Sequence, residues 1–108
     1  MNSIYRISVP VDDYQELSLT GPILSVAADR GGSSDVIDLW YEHMDGNRPA
    51  YKPNYHRPRS LWIFGTGHPV PWTDYTRHAW HFLGTVVTPS GLIWHCYTGH
   101  MKGKMIGV

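Results

Sequence analysis

The sequence predicts an all-β domain: a small antiparallel sandwich or partly closed barrel of about six strands, with at most one short helix. Three observations carry this. Short β-branched and aromatic runs alternate with clusters of Gly, Pro, Asp and Ser. No segment holds a 3.6-residue apolar period long enough for a stable helix. Thr88-Pro89-Ser90-Gly91 separates two apolar runs, with Pro and Gly where a β-turn wants them, and so marks a hairpin.

The elements follow in order. Residues 4–9 set Tyr5, Ile7 and Val9 on one face against Arg6 and Ser8 on the other. Pro10 ends this run, because proline cannot donate to a ladder. Residues 11–21 are polar and acidic, and Tyr14-Gln15-Glu16-Leu17 suits one helical turn. Residues 23–28 form the second strand and Gly31-Gly32-Ser33-Ser34 a flexible connection. Residues 36–41 form the third, with Ile37, Leu39 and Tyr41 opposite Val36, Asp38 and Trp40. Residues 43–59 break the rhythm as a Pro/Tyr/Arg-rich insertion loop: Pro49, Pro53 and Pro58 exclude regular helix or central strand. Residues 61–64 make the fourth strand, residues 79–87 the fifth and residues 92–97 the sixth. Residues 73–82 are the one plausible helix, with Thr73 or Asp74 as its cap, although Trp80, Phe82 and Val86 favour strand in its later part. The expected organisation is a single domain over residues 1–98 and a Gly-rich, basic, flexible tail over residues 99–108.

Composition bounds the function. The chain has 108 residues, with five Trp, seven Tyr and two Phe, enough large side chains for one core. No apolar run approaches the roughly 18 residues of a membrane span, and the first residues do not read as a signal peptide. Cys96 is the single cysteine, so no internal disulfide forms and a cytoplasmic setting is expected. Formal net charge is zero, but residues 1–46 carry eight acids against two bases, while residues 47–108 carry seven bases against Asp74 alone. Either these charges mix in the folded molecule, or the second half meets an anionic ligand.

The densest signal is Gly65-Thr66-Gly67-His68-Pro69, where an apolar run stops at a corner. His68 precedes a proline and is confined to extended geometry. Gly65-Thr66-Gly67 would suit a phosphate cradle, yet lacks the Lys-Ser/Thr ending of a P-loop, and a tight turn explains it equally. His68 and His95 are candidates for acid–base work, with Asp38 as an orienting carboxylate, or else fix a corner through backbone bonds. His78 and His81 suit zinc only on a helix, and on a strand they diverge. Cys96 reads as a small buried hydrophobe rather than a nucleophile, since its neighbour His95 faces the other way. The richest interaction segment runs from Arg48 to Arg59, where four cations sit among Tyr51 and Tyr55 without an acid. Cations hold phosphates, aromatic faces stack bases, and Tyr and Arg also anchor protein interfaces. The partner-binding set is therefore Arg57, Arg59, Tyr51, Tyr55, Thr66, Gly67 and His68, with Trp72 lining a cleft.

The strands also carry a wider pattern: Ile4-Tyr5-Arg6, Ile23-Leu24-Ser25-Val26, Leu39-Trp40, Phe64-Gly65-Thr66-Gly67-His68-Pro69-Val70, Phe82-Leu83-Gly84-Thr85-Val86 and Leu92-Ile93-Trp94-His95. This resembles a family of small uncharacterised proteins of phages, prophages and their bacterial hosts, actinobacterial phages especially. The resemblance covers residues 3–97, departing at the insertion of residues 44–59 and at the tail. It implies a short accessory protein acting in the cytoplasm of an infected or lysogenic bacterial cell.

The expected function is non-enzymatic binding of a host protein or a small anionic ligand, signalling nucleotides included. The alternatives are a histidine-dependent hydrolase or metal-dependent enzyme using His68 and His95, and a minor virion structural protein. No cofactor, metal or membrane is expected. Nucleic acid is the less favoured partner, and a homo-oligomer is expected by analogy with other phage proteins of this size.

Overall fold

Seven strands build two antiparallel sheets in a computed structural model, which describes residues 1–44 and 56–102. The three-stranded sheet runs β1 (Ser3–Pro10), β4 (Val36–His43), β3 (Ile23–Ala28). The four-stranded sheet runs β2 (Tyr14–Leu19), β5 (Arg57–Gly65), β7 (Ile93–Thr98), β6 (His81–Val87). The sheets do not close into a barrel, so of the two architectures expected the sandwich is correct.

Strand alternation produces the core. Ile7 and Val9 of β1, Ile37 and Leu39 of β4, and Ile23 and Val26 of β3 face Leu17, Leu19, Leu61, Ile63, Cys96 and Val86 of the other sheet. Ile37, Leu39, Leu61 and Cys96 are fully buried. At one side the sheets approach closely: a Cβ on Gly84 would stand 3.2 Å from a Val26 methyl, at a φ of +153°. Gly84 lies at the irregularity in β6 where the register with β7 shifts between Phe82 and Gly84, as glycine does at bulges.

The β6–β7 hairpin forms as expected. The Gly91 N–H donates to the Thr88 carbonyl at 2.9 Å, and Val87 pairs with Ile93. Elsewhere the structure corrects the sequence reading. The helical turn expected at Tyr14 is β2: Leu17 and Leu19 both reach the core only if the segment is extended, and β5 supplies its ladder. The insertion is shorter than residues 43–59, because His43 still pairs with Ser3 and Arg57, Pro58 and Arg59 already pair with β2. Pro58 is tolerated there because β7 joins β5 only from Trp62 onwards, which leaves that stretch one open side. The helix expected within residues 73–82 reduces to one 3-10 turn, η1 (Arg77–Ala79), after Thr76, and Trp80 is already extended. His78 lies in η1 and His81 in β6, so they share no helical face.

Residues 99–102 of the expected tail are tied to the sheet. The Ser60 hydroxyl bonds both the N–H and the carbonyl of Gly99, at 2.9 and 3.0 Å. The Trp62 indole N–H donates to the His100 carbonyl at 2.9 Å, and the Lys102 N–H donates to the Tyr14 hydroxyl at 3.0 Å. No helix among the described residues is long and apolar enough to cross a membrane.

Candidate functional site

The Gly65-Thr66-Gly67-His68 corner is a closed β-turn. The His68 N–H donates to the Gly65 carbonyl at 3.0 Å, and Gly67 adopts a φ of +86° at the turn's third position. The Gly65 N–H in turn donates to His68 Nδ1 at 3.1 Å. The imidazole lies so close that a Cβ on Gly65 would fall 2.8 Å from its Cε1. The turn thus binds its own histidine, and the Gly65 N–H is committed to that ring rather than to an anion.

His95 is held separately. Its Nε2 lies 2.8 Å from the Thr66 hydroxyl and its Nδ1 3.0 Å from the Thr85 hydroxyl. β5 and β7 are neighbours, with Phe64 paired to His95, so the two histidines sit on adjoining strands but on different partners. The Thr66–His95 pair has the geometry of a hydroxyl beside a base. The group behind the imidazole is Thr85, whose neutral hydroxyl does not stabilise an imidazolium as a carboxylate does.

Asp38, the expected orienting carboxylate, belongs to the other sheet. It pairs with Ser8 and Ala27 on the face opposite Ile37 and Leu39, and its Oδ1 accepts from Arg6 Nη1 at 3.0 Å. The strand alternation of β4 turns it away from both histidines, so the structure does not assemble His68, His95 and Asp38.

Trp72 lies in an aromatic layer on the outer face of the four-stranded sheet. Its ring is 5.0 Å from Trp80, 4.8 Å from Tyr97 and 5.7 Å from Phe64. Trp80 packs edge-on against Trp62 at 5.1 Å, and Trp62 against Tyr14 at 4.6 Å. Trp62 and Trp80 are buried. The layer is a second apolar core that clamps the 66–80 connection to the sheet, and Trp72 packs within it.

The feature with binding character lies at the open end of the sandwich. A cleft of about 560 Å³ is lined there by Ile23 and Leu24 from β3, Arg59 from β5, His81 and Phe82 from β6, and Thr98 from β7. Arg59 is on the inward face with Leu61 and Ile63, one step past the last core leucine. Thr98 shares the inward face with Cys96, and His81 is its register partner. Three donors thus project to one side of the sheet. The Arg59 Nε is buried without a hydrogen-bond partner, and no carboxylate pairs with this guanidinium among the described residues. Burial, and secondarily the charge of Arg57, push the Arg59 pKa down from its ordinary value.

Of the residues expected to bind, Arg57 and Arg59 come together on β5, whereas Thr66, Gly67 and His68 lie past the opposite end of that strand. Tyr51 and Tyr55 lie outside the described residues. His81, Phe82 and Thr98 were not foreseen beside Arg59. Their convergence depends on the strand order β5-β7-β6, which no local pattern encodes. Among the described residues, no three His, Cys, Asp or Glu side chains cluster closely enough to hold a metal ion.

The model of DUF7352, a domain of unknown function, matches residues 1–105. The chain belongs to this family. The match takes in the Pro/Tyr/Arg-rich segment and most of the tail. No curated protein and no solved structure matches the chain.

Proposed function

We propose that this DUF7352 protein is a non-enzymatic binding protein, and that its ligand is a small anion held at the Arg59 cleft. One observation carries this reading: a half-buried guanidinium faces a cleft with no carboxylate to neutralise it and with a buried, unpartnered Nε. Desolvating a cation is costly, and a structural arginine ordinarily recovers that cost through a paired carboxylate. An unpaired one, backed by the charge of Arg57, is stabilised when an anion arrives. The resemblance to phage and prophage proteins supports an accessory role in a bacterial cell, with the anion drawn from the host.

Thermal unfolding in the presence of inorganic phosphate, pyrophosphate or citrate tests the reading. At ten times its Kd, a bound anion stabilises the native state by roughly 1.4 kcal/mol, a rise in Tm of several degrees for a domain of this size. The rise is expected for at least one of the three and is expected to vanish in Arg59→Gln. No rise with any of them, or an equal rise in Arg59→Gln, overturns the proposal.

A further inference from the structure

The Arg59 cleft lies between the two sheets, and its walls differ in chemistry. The four-stranded sheet supplies the donors: Arg59 of β5, Thr98 of β7 and His81 of β6 project from its inward face. The wall across from them is apolar. Pro22, Ile23 and Leu24 lead into and begin β3, and Ile23 belongs to the sandwich core. Leu83 adds apolar surface from β6 and also packs on that core, so it shares the inward face with the donors. Phe82 turns its ring to the outer face of the sheet, onto Tyr97 at 5.2 Å, so the apolar surface facing Arg59 is aliphatic. Among the described residues, Arg59 is the one arginine or lysine that lines the cleft, and no Asp or Glu lines it.

We infer that the ligand is an aliphatic monocarboxylate, its carboxylate held by Arg59 with Thr98 and His81 and its alkyl chain laid on Ile23, Leu24 and Leu83. This rests on the anion reading above and narrows it. The charge count selects a monoanion. A single guanidinium offsets one negative charge, and a phosphate dianion would bring a second charge against an aliphatic wall that cannot solvate it. The head-group geometry agrees. A guanidinium presents its donors in a planar fork that matches two carboxylate oxygens, and the threonine hydroxyl and imidazole N–H add donors from the neighbouring strands. The aliphatic wall selects the body of the ligand. Small-molecule sites are mostly apolar, with a few polar groups that fix orientation, and a cleft of about 560 Å³ lies within their usual size range. An alkyl chain gains by leaving water there, whereas a polar body would leave its own groups unpaired.

Isothermal titration at pH 7 with acetate, butanoate and hexanoate, and in parallel with hexan-1-ol and hexyl phosphate, tests this on the full chain. Affinity is expected to rise about four-fold for each methylene buried, so that hexanoate binds roughly ten-fold or more tightly than butanoate. Hexan-1-ol and hexyl phosphate are each expected to bind more weakly than hexanoate. Arg59→Gln is expected to abolish carboxylate binding. Leu83→Ala is expected to reduce the gain with chain length and to leave acetate binding unchanged; should that variant fail to fold, the wild-type series alone decides. Carboxylates that gain nothing from length, or hexan-1-ol or hexyl phosphate binding as tightly as hexanoate, overturn the monocarboxylate inference. The anion reading still stands in those cases if inorganic phosphate, pyrophosphate or citrate raises the Tm and Arg59→Gln removes the rise. Absence of binding by every carboxylate, with those three anions also inert in thermal unfolding, overturns both.

Discussion

Cys96 has no exposed surface on the inward face of β7, and burial pushes its thiol up to about 12. An unfolded thiol titrates near 8.5. Between those values only the unfolded chain releases the proton. The thiol's contribution to stability is therefore complete below about pH 8.5 and declines as pH rises toward 12. Urea unfolding at pH 7 and pH 10 should show the wild type losing roughly 2 kcal/mol more than Cys96→Ala over that interval. The native thiol should also resist alkylation at pH 8 until denaturant is added. Identical pH dependence in the two proteins would count against this account. His68 shows the same economy of local contacts. The corner that attracts attention in the sequence is occupied by its own side chain, which bonds the Gly65 N–H and covers the Gly65 Cα.

At the scale of the element, β6 is positioned by what it lacks. Gly84 lets the edge of the four-stranded sheet close on β3, since a side chain there would meet a Val26 methyl at 3.2 Å and the Val26 carbonyl at 3.5 Å. Gly84→Val must therefore separate the sheets or distort the irregularity in β6. We expect a loss of about 1–3 kcal/mol, read as a lower urea midpoint with an unchanged slope. An unchanged midpoint would mean that the close approach does not constrain the fold. β2 carries the complementary lesson. Its residues look like a polar turn in isolation, and only the ladder from β5 converts Leu17 and Leu19 into core.

The whole molecule has two apolar layers rather than one. The sandwich core lies between the sheets, and the aromatic layer lies outside the larger sheet under the 66–80 connection. Trp80 joins the second layer to the tail, packing at 5.7 Å against His100 and lying where a Cβ on Gly99 would stand 2.8 Å from its ring. Trp80→Ala should cost about 3–5 kcal/mol, as deletion of a buried aromatic does. Because residues 99–102 pack on that layer, limited proteolysis should cut the variant near its C-terminal end well before the wild type. Loss of stability without faster cleavage would show that the hydrogen bonds with Ser60, Trp62 and Tyr14 hold the tail without Trp80.

Strand class, six of the seven strands and the hairpin turn were legible in the sequence because they rest on local physics. Period-two alternation puts Ile37 and Leu39 on one face wherever the strand ends up, and Gly91 closes its turn without help from distant residues. The apolar fate of Cys96 was legible for the same reason. The tertiary structure alone decided the rest. It recruited the polar segment at Tyr14 as a strand, separated Asp38 from His95 by placing them in different sheets, and gathered Arg59, Thr98 and His81 at one mouth. Those outcomes depend on which strands pair, and strand pairing is chosen by the burial of the whole chain rather than by any segment's own pattern.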